Sequence, residues 1–207
     1  MVYPPVRVEM LQAEDDWRNC LTGEEAEEFG VLPNDFLLGA SRFVHYKRLD
    51  AVISAGEAAG LPVVLAGGGP QEAELRELAS RAAVPVHFVI RPSDAMLFAL
   101  YQRAFALIFL AVEDFGIMPV EAMSLGTPVL VTSVGGARES VEALGGGIVI
   151  DSPDAATLAD GIEQLSRLDM PAAAGAAVDA FGERAFAERL TSWTNVAGTV
   201  ASAGASS

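Results

Sequence analysis

Two cationic side chains of different geometry lie close together in the segment Gly39–Arg48. Arg42 can donate two parallel hydrogen bonds to phosphate oxygens, whereas Lys47, the only lysine of the chain, acts as a point charge. The segment lies between an apolar run and a helical pattern, where a helix N-terminus adds free N–H groups. Two interpretations stay open from this loop alone: a pyrophosphate site, or a solvated basic loop.

Two carboxylates bracket the segment Glu113-Asp-Phe-Gly-Ile-Met-Pro-Val-Glu121. Glu113 closes the longest apolar run of the chain, and Pro119 predicts the first turn of a helix that also contains Glu121. The segment therefore folds back and can direct both carboxylates at one cavity, where Gly116 and Ile117 would offer N–H groups to a ligand. Because a carboxylate accepts two charge-assisted hydrogen bonds, this spacing indicates a site for a ligand rich in hydroxyls, such as a sugar.

Two glycine-rich turns follow other apolar runs, and each has two interpretations. In Gly67-Gly-Gly-Pro70 the glycines allow a sharp turn, and Pro70 sets the first turn of a helix. No Lys-Ser or Lys-Thr pair follows, so this is not a P-loop, and a structural turn is favoured over a phosphate contact. The turn Gly135-Gly-Ala-Arg-Glu139 either serves the same crevice or is a tight turn with a solvated Arg138.

These loops are placed by a regular alternation of short apolar runs and amphipathic segments. The runs are apolar at both odd and even positions, as expected of strands that are covered on both faces of a parallel sheet. The predicted strands are Phe36–Ala40, Val63–Ala66, Val86–Ile90, Phe105–Ala111, Pro128–Thr132 and Gly147–Ile150. Because each is followed by a helix such as Leu49–Ala59 or Glu72–Ala82, the pattern predicts an α/β fold with a doubly wound, Rossmann-like parallel sheet of about six strands. In such a sheet ligands bind beyond the carboxyl ends of the strands, where the loops above lie.

The two ends of the chain depart from this pattern. Residues 1–35 are predicted to be a linker and an acidic segment without a full strand–helix unit, and residues 36–170 to form the α/β domain. Residues 171–190 are predicted to form one C-terminal helix. Residues 191–207 carry no charge and are rich in Ala, Ser, Thr and Gly, which predicts a flexible tail.

Composition and charge exclude several classes of function. The chain has 207 residues, and its 28 acidic against 13 basic side chains give a formal charge of −15, which argues against a nucleic-acid partner. Cys20 is the only cysteine, and His45 and His87 are not spaced as metal ligands, so neither a disulfide nor a metal site is expected. No apolar run reaches the ~18 residues of a membrane span, and the N-terminus lacks the pattern of a signal peptide. We therefore expect a cytoplasmic protein without a transmembrane segment.

Taken in order, these loops resemble the C-terminal half of the retaining glycosyltransferases of family 4, which have the GT-B fold. Five segments carry the resemblance, over about residues 2–168. They are Val2–Val6, similar to the entry into the second domain; Gly39–Lys47, similar to the basic phosphate loop; Ala66–Pro70, similar to the Gly-Pro turn; Glu113–Glu121, similar to the Glu–seven residues–Glu signature; and Pro128–Glu139, similar to the strand and turn after it.

The resemblance implies a site for a nucleotide-diphospho-sugar donor, with no cofactor and no required metal. It implies that Arg42 and Lys47 hold the diphosphate and stabilise its charge as it leaves, and that Glu113 holds hydroxyls of the donor sugar. These three are the expected catalytic residues. The residues that the resemblance assigns to donor binding are Phe115, Gly116, Ile117, Glu121, Arg91 and Gly68. Among them, Glu121 would take the ribose hydroxyls, and Arg91 would border the base.

The implied reaction moves a hexose with retention of configuration. The motif Glu-Asp-Phe-Gly-Ile resembles that of mannosyl-transferring members that use GDP-mannose. Members that use UDP-sugars have a similar motif at this position. Where family members often carry glycine, this chain has Ile90 before Arg91. Bulk at that position could reshape the base pocket, so the sequence leaves the nucleotide open.

A GT-B enzyme places its acceptor site on an N-terminal domain of similar size, for which this chain has no room. The expected partners are therefore a nucleotide-diphospho-sugar donor and an acceptor domain in the same or another chain, and that missing half leaves peripheral membrane association open. The leading hypothesis is the donor-binding domain of such a transferase, and its two alternatives are a non-catalytic nucleotide-sugar-binding module and one half of a split transferase. A GT-B-like sugar-nucleotide epimerase is the least favoured hypothesis, because it is not expected to carry the Glu113 and Glu121 arrangement.

Overall fold

The computed structural model describes residues 6–192, and these contain one all-parallel sheet of six strands. The strands are β1 (Leu37–Arg42), β2 (Val63–Gly68), β3 (Val86–Ile90), β4 (Ala106–Phe109), β5 (Val129–Thr132) and β6 (Gly147–Ile150). Their spatial order is β3-β2-β1-β4-β5-β6, in which the direction of strand addition reverses between β1 and β4. The predicted fold class is confirmed, and β1 and β4 flank the topological switch point of a doubly wound sheet.

Helices precede the sheet, connect its strands and follow it. The N-terminal segment holds α1 (Val8–Leu11), a 3-10 turn at Trp17–Cys20 and α2 (Gly23–Gly30). The connecting helices, one after each strand from β1 to β6, are α3 (Leu49–Ala59), α4 (Glu72–Arg81), α5 (Asp94–Arg103), α6 (Ile117–Ser124), α7 (Ala137–Leu144) and α8 (Ala155–Leu165). The described part of the chain ends with α9 (Met170–Phe181) and α10 (183–192).

Alternate residues of each strand enter two apolar clusters, one on each face of the sheet. In β1, Leu38 packs into the cluster that includes α5, α6 and α9, whereas Leu37 packs into the cluster that includes α3 and α8. Leu37 pairs with Ala106 and Leu38 with Leu107 of the neighbouring strand β4. A slip of one residue would move every side chain to the opposite face, so burial on both faces fixes this register.

The helix starts differ in their capping. Helices α5 and α8 have side-chain caps, because Ser93 and Asp154 accept hydrogen bonds from backbone N–H groups of the first turn. The helices after β1, β2, β4 and β5 begin without one, and their N-cap residues are Arg48, Gln71, Gly116 and Gly136. First-turn N–H groups are therefore left without a side-chain acceptor on both sides of the switch point.

The N-terminal segment packs against α5 and α6, which the sequence pattern did not indicate. Trp17 lies edge-on against Phe98 of α5, with ring centroids 4.8 Å apart. Arg103, at the end of α5, donates a hydrogen bond to the Phe29 carbonyl at 2.7 Å. Residues 6–35, which were predicted to be part of a linker, therefore contribute to the core of the domain.

The predicted C-terminal helix is divided at Gly182, whose backbone is extended (φ −64°, ψ 160°). Glu9 of α1 provides the physical reason, because its carboxylate accepts from the Glu183 N–H at 3.5 Å and so caps α10. A side chain at Gly182 would overlap that carboxylate. The structure thus has two helices where the sequence predicted one.

Parts of two predictions lie outside the described residues. Of the predicted tail, only residues 191 and 192 are described, and they belong to α10. Of the segment Val2–Val6, only Val6 is described, and its N–H donates to the Phe181 carbonyl. Within residues 6–192, no helix is both long enough and apolar enough to cross a bilayer.

Two glycine-to-alanine substitutions test how closely α3 packs on the sheet. At Gly56, a Cβ atom would overlap the Val63 side chain and lie 3.0 Å from the Leu61 carbonyl oxygen. Gly56→Ala should therefore lower the free energy of unfolding by about 1–3 kcal/mol through overpacking. At Gly175 in α9 a Cβ atom would meet open space. Gly175→Ala should therefore raise the free energy of unfolding by up to ~1 kcal/mol, because alanine is the better helix former. Urea denaturation measures both values, and equal effects at the two positions would contradict the packing described.

Candidate functional site

The loops after β1 and β4 meet at the switch point, where Lys47 and Glu113 form an ion pair. Lys47 ends the 3-10 turn His45–Lys47 before α3, and Glu113 lies in the loop before α6. The pair is shielded from water, since the Lys47 side chain is 13% exposed and that of Glu113 24%. Burial lowers the pKa of the Lys47 ammonium, so the nearby carboxylate supplies a counter-charge that favours its charged form. One predicted cation and one predicted carboxylate are thus in direct contact.

The turn at Gly135 and Gly136 holds the backbone of the Glu113 loop. The Gly136 N–H donates to the Glu113 carbonyl at 2.7 Å. A side chain at Gly136 would overlap the Asp114 carbonyl, and a Cβ on Gly135, whose φ is 101°, would lie 2.8 Å from the Glu113 carbonyl oxygen. Of the two interpretations of this turn, the structure supports a structural role, because its glycines let two backbones approach closely.

The glycine turn after β2 supports the basic loop in the same way. The Phe43 N–H donates to the Gly68 carbonyl at 3.0 Å, and the Phe43 carbonyl accepts from the Gln71 N–H at 3.1 Å. A Cβ on Gly69 would lie 2.6 Å from that Phe43 carbonyl oxygen. The loop that carries Lys47 therefore rests on this turn through backbone contacts.

Arg48 and Arg91 have left-handed backbones at the carboxyl edge of the sheet, with φ values of 54° and 52°. Within residues 6–192 no other non-glycine residue has a positive φ, and such conformations cost on the order of 1–3 kcal/mol each. The Arg91 N–H donates to the Gly67 carbonyl at 2.8 Å, and a Cβ on Gly68 would lie 3.4 Å from Arg91 Cγ. Gly68 and Arg91, two predicted donor-binding residues, are therefore neighbours at this edge.

Arg42 ends β1 with an exposed side chain. Among the described residues it has no ion pair, so its guanidinium is free to meet an anion. Sequence reasoning did not single out Tyr46, whose ring centroid lies 5.2 Å from Lys47 Nζ and which is 61% exposed. The signal available in the sequence was an aromatic residue directly before the only lysine.

Glu121 is buried in α6, 6% exposed, and it has a different partner from Glu113. Its Oε1 lies 3.8 Å from Nη2 of Arg7, a residue of the N-terminal segment that sequence reasoning did not select. Burial raises the pKa of the Glu121 carboxyl, and the Arg7 charge opposes that rise. The sequence analysis expected both carboxylates to face one cavity, whereas in the structure each is held by its own cation.

The remaining predicted residues lie at the start of α6. Phe115 packs against Phe181 of α9, with ring centroids 5.9 Å apart. Gly116 is buried, and a Cβ there would lie 2.8 Å from the Ala137 Cβ of α7. Ile117 is 46% exposed. Phe115 and Gly116 therefore fix the helix start, and Ile117 leaves its first turn open to solvent.

A groove of about 720 Å³ lies between the N-terminal segment and α5, and Asp15, Arg18 and Arg103 are among the residues that line it. Its arginines already have partners, since Arg18 pairs with Asp16 at 2.6 Å and Arg103 donates to backbone carbonyls. Arg103 ends α5, so this groove lies toward the edge where the strands begin. Arg42, the left-handed backbones of Arg48 and Arg91 and the uncapped helix starts are at the opposite edge, where we place the site.

The arrangement at the switch point can hold an anion and a polyol side by side. Arg42 and Lys47 supply positive charge, the uncapped helix starts supply N–H groups, and Glu113 can accept from hydroxyls. In the part of the chain that the structure describes, no group of three or more His, Cys, Asp or Glu is arranged to hold a metal ion.

Comparison with known proteins gives matches over most of the chain. The profile of the family described as "Glycosyl transferases group 1" matches residues 21–185. The chain is similar to O-antigen chain mannosyltransferase C of Escherichia coli, 31% identical over 137 residues, which are 64% of this chain and 37% of that protein. It is also similar to the GDP-mannose-dependent alpha-(1-6)-phosphatidylinositol monomannoside mannosyltransferase of Mycobacterium tuberculosis, 31% identical over 140 residues, 60% of this chain and 36% of that protein.

A solved structure shares the fold. The crystal structure of HepE from Anabaena in complex with UDP matches with a TM-score of 0.74 at 21% identity, over 94% of this chain and 57% of that chain. The chain thus spans about a third of the length of the two curated relatives and a little over half of this structure.

A double-mutant cycle tests whether Lys47 and Glu113 form a shielded pair. Lys47→Met and Glu113→Gln each leave one partly buried charge alone, so each should lower the free energy of unfolding. The double variant should lower it by less than the sum of the two single losses. The expected coupling is about 1 kcal/mol or more in the free energy of unfolding. The matched control is the exposed pair Glu77 and Arg81 on α4, for which the coupling should stay below about 0.5 kcal/mol. Equal coupling for the two pairs would contradict the shielding.

Proposed function

The chain belongs to the glycosyl transferases group 1 family, and on that premise we propose that it is the donor-binding, C-terminal domain of a retaining GT-B glycosyltransferase of family 4. It binds a nucleotide-diphospho-sugar and serves the transfer of a hexose with retention of configuration. The acceptor-binding part of the enzyme corresponds to sequence that the longer relatives have beyond the region they share with this chain. The proposed location of the enzyme is the cytoplasm.

The observation that carries this proposal is the Lys47–Glu113 ion pair at the switch point, together with the exposed Arg42 at the end of β1. In the proposed complex, Arg42 and Lys47 bind the diphosphate, and Glu113 accepts from hydroxyls of the donor sugar. Fixed positive charge at this place stabilises the diphosphate as its bond to the sugar breaks, which is where negative charge develops. Because these side chains supply that charge, we propose that transfer requires neither a metal ion nor a cofactor.

The proposed donor-binding residues surround this centre. They are Phe115, Gly116, Ile117, Glu121, Arg91 and Gly68. Glu121 is proposed to accept from the ribose hydroxyls, and the neighbours Gly68 and Arg91 to border the base. The start of α6, from Phe115 to Ile117, would offer backbone N–H groups to the sugar.

We propose mannose as the hexose and GDP as its carrier. The names of the two curated relatives support this choice, since one is a mannosyltransferase and the other a GDP-mannose-dependent mannosyltransferase. The structural relative was solved with UDP, which makes a UDP-sugar the competing donor. A thermal-shift comparison of GDP, UDP and ADP separates them, because a ligand that binds only the folded form raises its melting temperature.

Removal of the two cations tests the diphosphate site. Arg42→Ala and Lys47→Ala should each weaken binding of GDP about tenfold or more, since a hydrogen bond to a charged group contributes roughly 1.5–3 kcal/mol. The double variant should show no binding at millimolar ligand, measured by isothermal titration calorimetry. Arg81→Ala, which removes an exposed arginine of α4, is the control and should bind as the wild type does.

Three further results decide how far the proposal holds. Unchanged affinity of the double variant would place the diphosphate elsewhere and contradict the proposal. In a transfer assay with GDP-mannose and an added acceptor, turnover by the chain would reject a non-catalytic binding module. Addition of EDTA should leave donor binding unchanged.

A further inference from the structure

A second cluster of charges is centred on Glu121 in α6. Arg7, the N-cap residue of α1, places Nη2 3.8 Å from Glu121 Oε1 and donates from Nη1 to Asp94 Oδ2 at 3.2 Å. Its guanidinium also lies over the ring of Phe98, with Cζ 5.8 Å from the centroid. One arginine from the N-terminal segment thus reaches three groups on two helices of the sheet domain.

The three charges differ greatly in burial. Glu121 is 6% exposed, whereas the side chains of Arg7 and Asp94 are 52% and 71% exposed. A carboxylate with so little access to water ionises at a cost unless a positive charge lies near it. Arg7 is the cation that the structure places beside it, so the ionisation of the Glu121 carboxyl depends on a residue of the N-terminal segment.

The titratable groups that face Glu121 act on it in opposite directions. Burial is the largest influence and raises its pKa, the Arg7 guanidinium lowers it, and the Asp94 carboxylate raises it. Tyr101 of α5 also faces Glu121, and its phenol is fully buried without a hydrogen-bond partner among the described residues. Burial first and the Glu121 charge second raise the pKa of Tyr101 well above its usual value, so the phenol stays neutral.

We propose that Arg7 is a positioning residue that keeps the Glu121 carboxylate ionised and oriented to accept hydrogen bonds from the ribose of the donor. This inference rests on the proposed function, in which Glu121 takes the ribose hydroxyls. An ionised carboxylate accepts hydrogen bonds about twice as strong as those of a neutral group, so loss of its charge weakens the donor complex. The N-terminal segment is thereby coupled to the donor site, although Arg7 does not touch the donor.

A purely structural role for Arg7 would be to fasten the N-terminal segment to α5 through Asp94. Two substitutions separate the roles, because Arg7→Gln and Asp94→Asn break the same ion pair. If Arg7 only fastens the segment, both variants loosen it alike, and Arg7→Gln leaves the titration of Glu121 unchanged. If Arg7 positions Glu121, the variants shift that titration in opposite directions, since one removes a charge that lowers the pKa of Glu121 and the other a charge that raises it.

The experiment measures the affinity for GDP and for UDP against pH by calorimetry. For Arg7→Gln we expect about tenfold weaker binding at neutral pH, and binding that is lost at a higher pH than in the wild type as the solution is acidified. For Asp94→Asn the loss should occur at a lower pH, and Arg7→Lys should restore part of the affinity. Arg18→Gln, which breaks an exposed pair with Asp16 in the same segment, should bind as the wild type does. Shifts in the same direction for Arg7→Gln and Asp94→Asn, or no shift, would overturn the inference.

A titration without nucleotide keeps the inference separate from the proposed function. The carboxyl carbon of Glu121 is followed by NMR in the glutamate-labelled chain and identified by its absence in Glu121→Gln. Its midpoint should move up in Arg7→Gln and down in Asp94→Asn, and an unmoved midpoint overturns the inference whatever the nucleotide result. Failure of the wild type to bind either nucleotide, with the expected midpoint shifts present, would instead overturn the donor role of Glu121 and the proposed function.

Discussion

The reversal of strand order between β1 and β4 is the constraint on which the site depends. Because these strands are adjacent and parallel, two loops that are distant in sequence leave the sheet at the same edge, and Lys47 meets Glu113 there. A shielded ammonium and a shielded carboxylate stabilise each other, so the pair holds the two loops together. Charges that are already in place need no reorganisation when negative charge develops beside them, which is the property that the proposed donor site requires.

The glycine turns serve the same constraint. A side chain at Gly136 would overlap the Asp114 carbonyl, and one at Gly69 would press on the Phe43 carbonyl, so each turn is shaped to let a neighbouring loop approach. Sequence alone could not decide between such a role and a phosphate cradle, because both need the same conformational freedom. Through their contacts with the Glu113 loop and the basic loop, these turns support the backbone that carries Glu113 and Lys47.

Prediction from sequence succeeded where local pattern decides the outcome. The helix Leu49–Ala59 and the strands Val86–Ile90 and Gly147–Ile150 have the predicted bounds, because continuous apolar runs and helical spacing are local signals. It failed where a distant contact decides. Glu9 breaks the C-terminal helix at Gly182, and Arg7 reaches Glu121 from a segment without periodicity, so nothing near either residue in the sequence marks it.

Because Lys47 is the only lysine, reductive methylation with ¹³C labels it alone apart from the terminal amine, and methylation keeps its charge. The most direct measurement is the ¹³C NMR signal of this methylated lysine during titration with guanosine and with GDP. The account predicts a saturable change with GDP and none with guanosine, because the ammonium meets the diphosphate and not the base or the ribose. An unmoved signal at GDP concentrations that saturate the chain would contradict the claim that this side chain binds the donor.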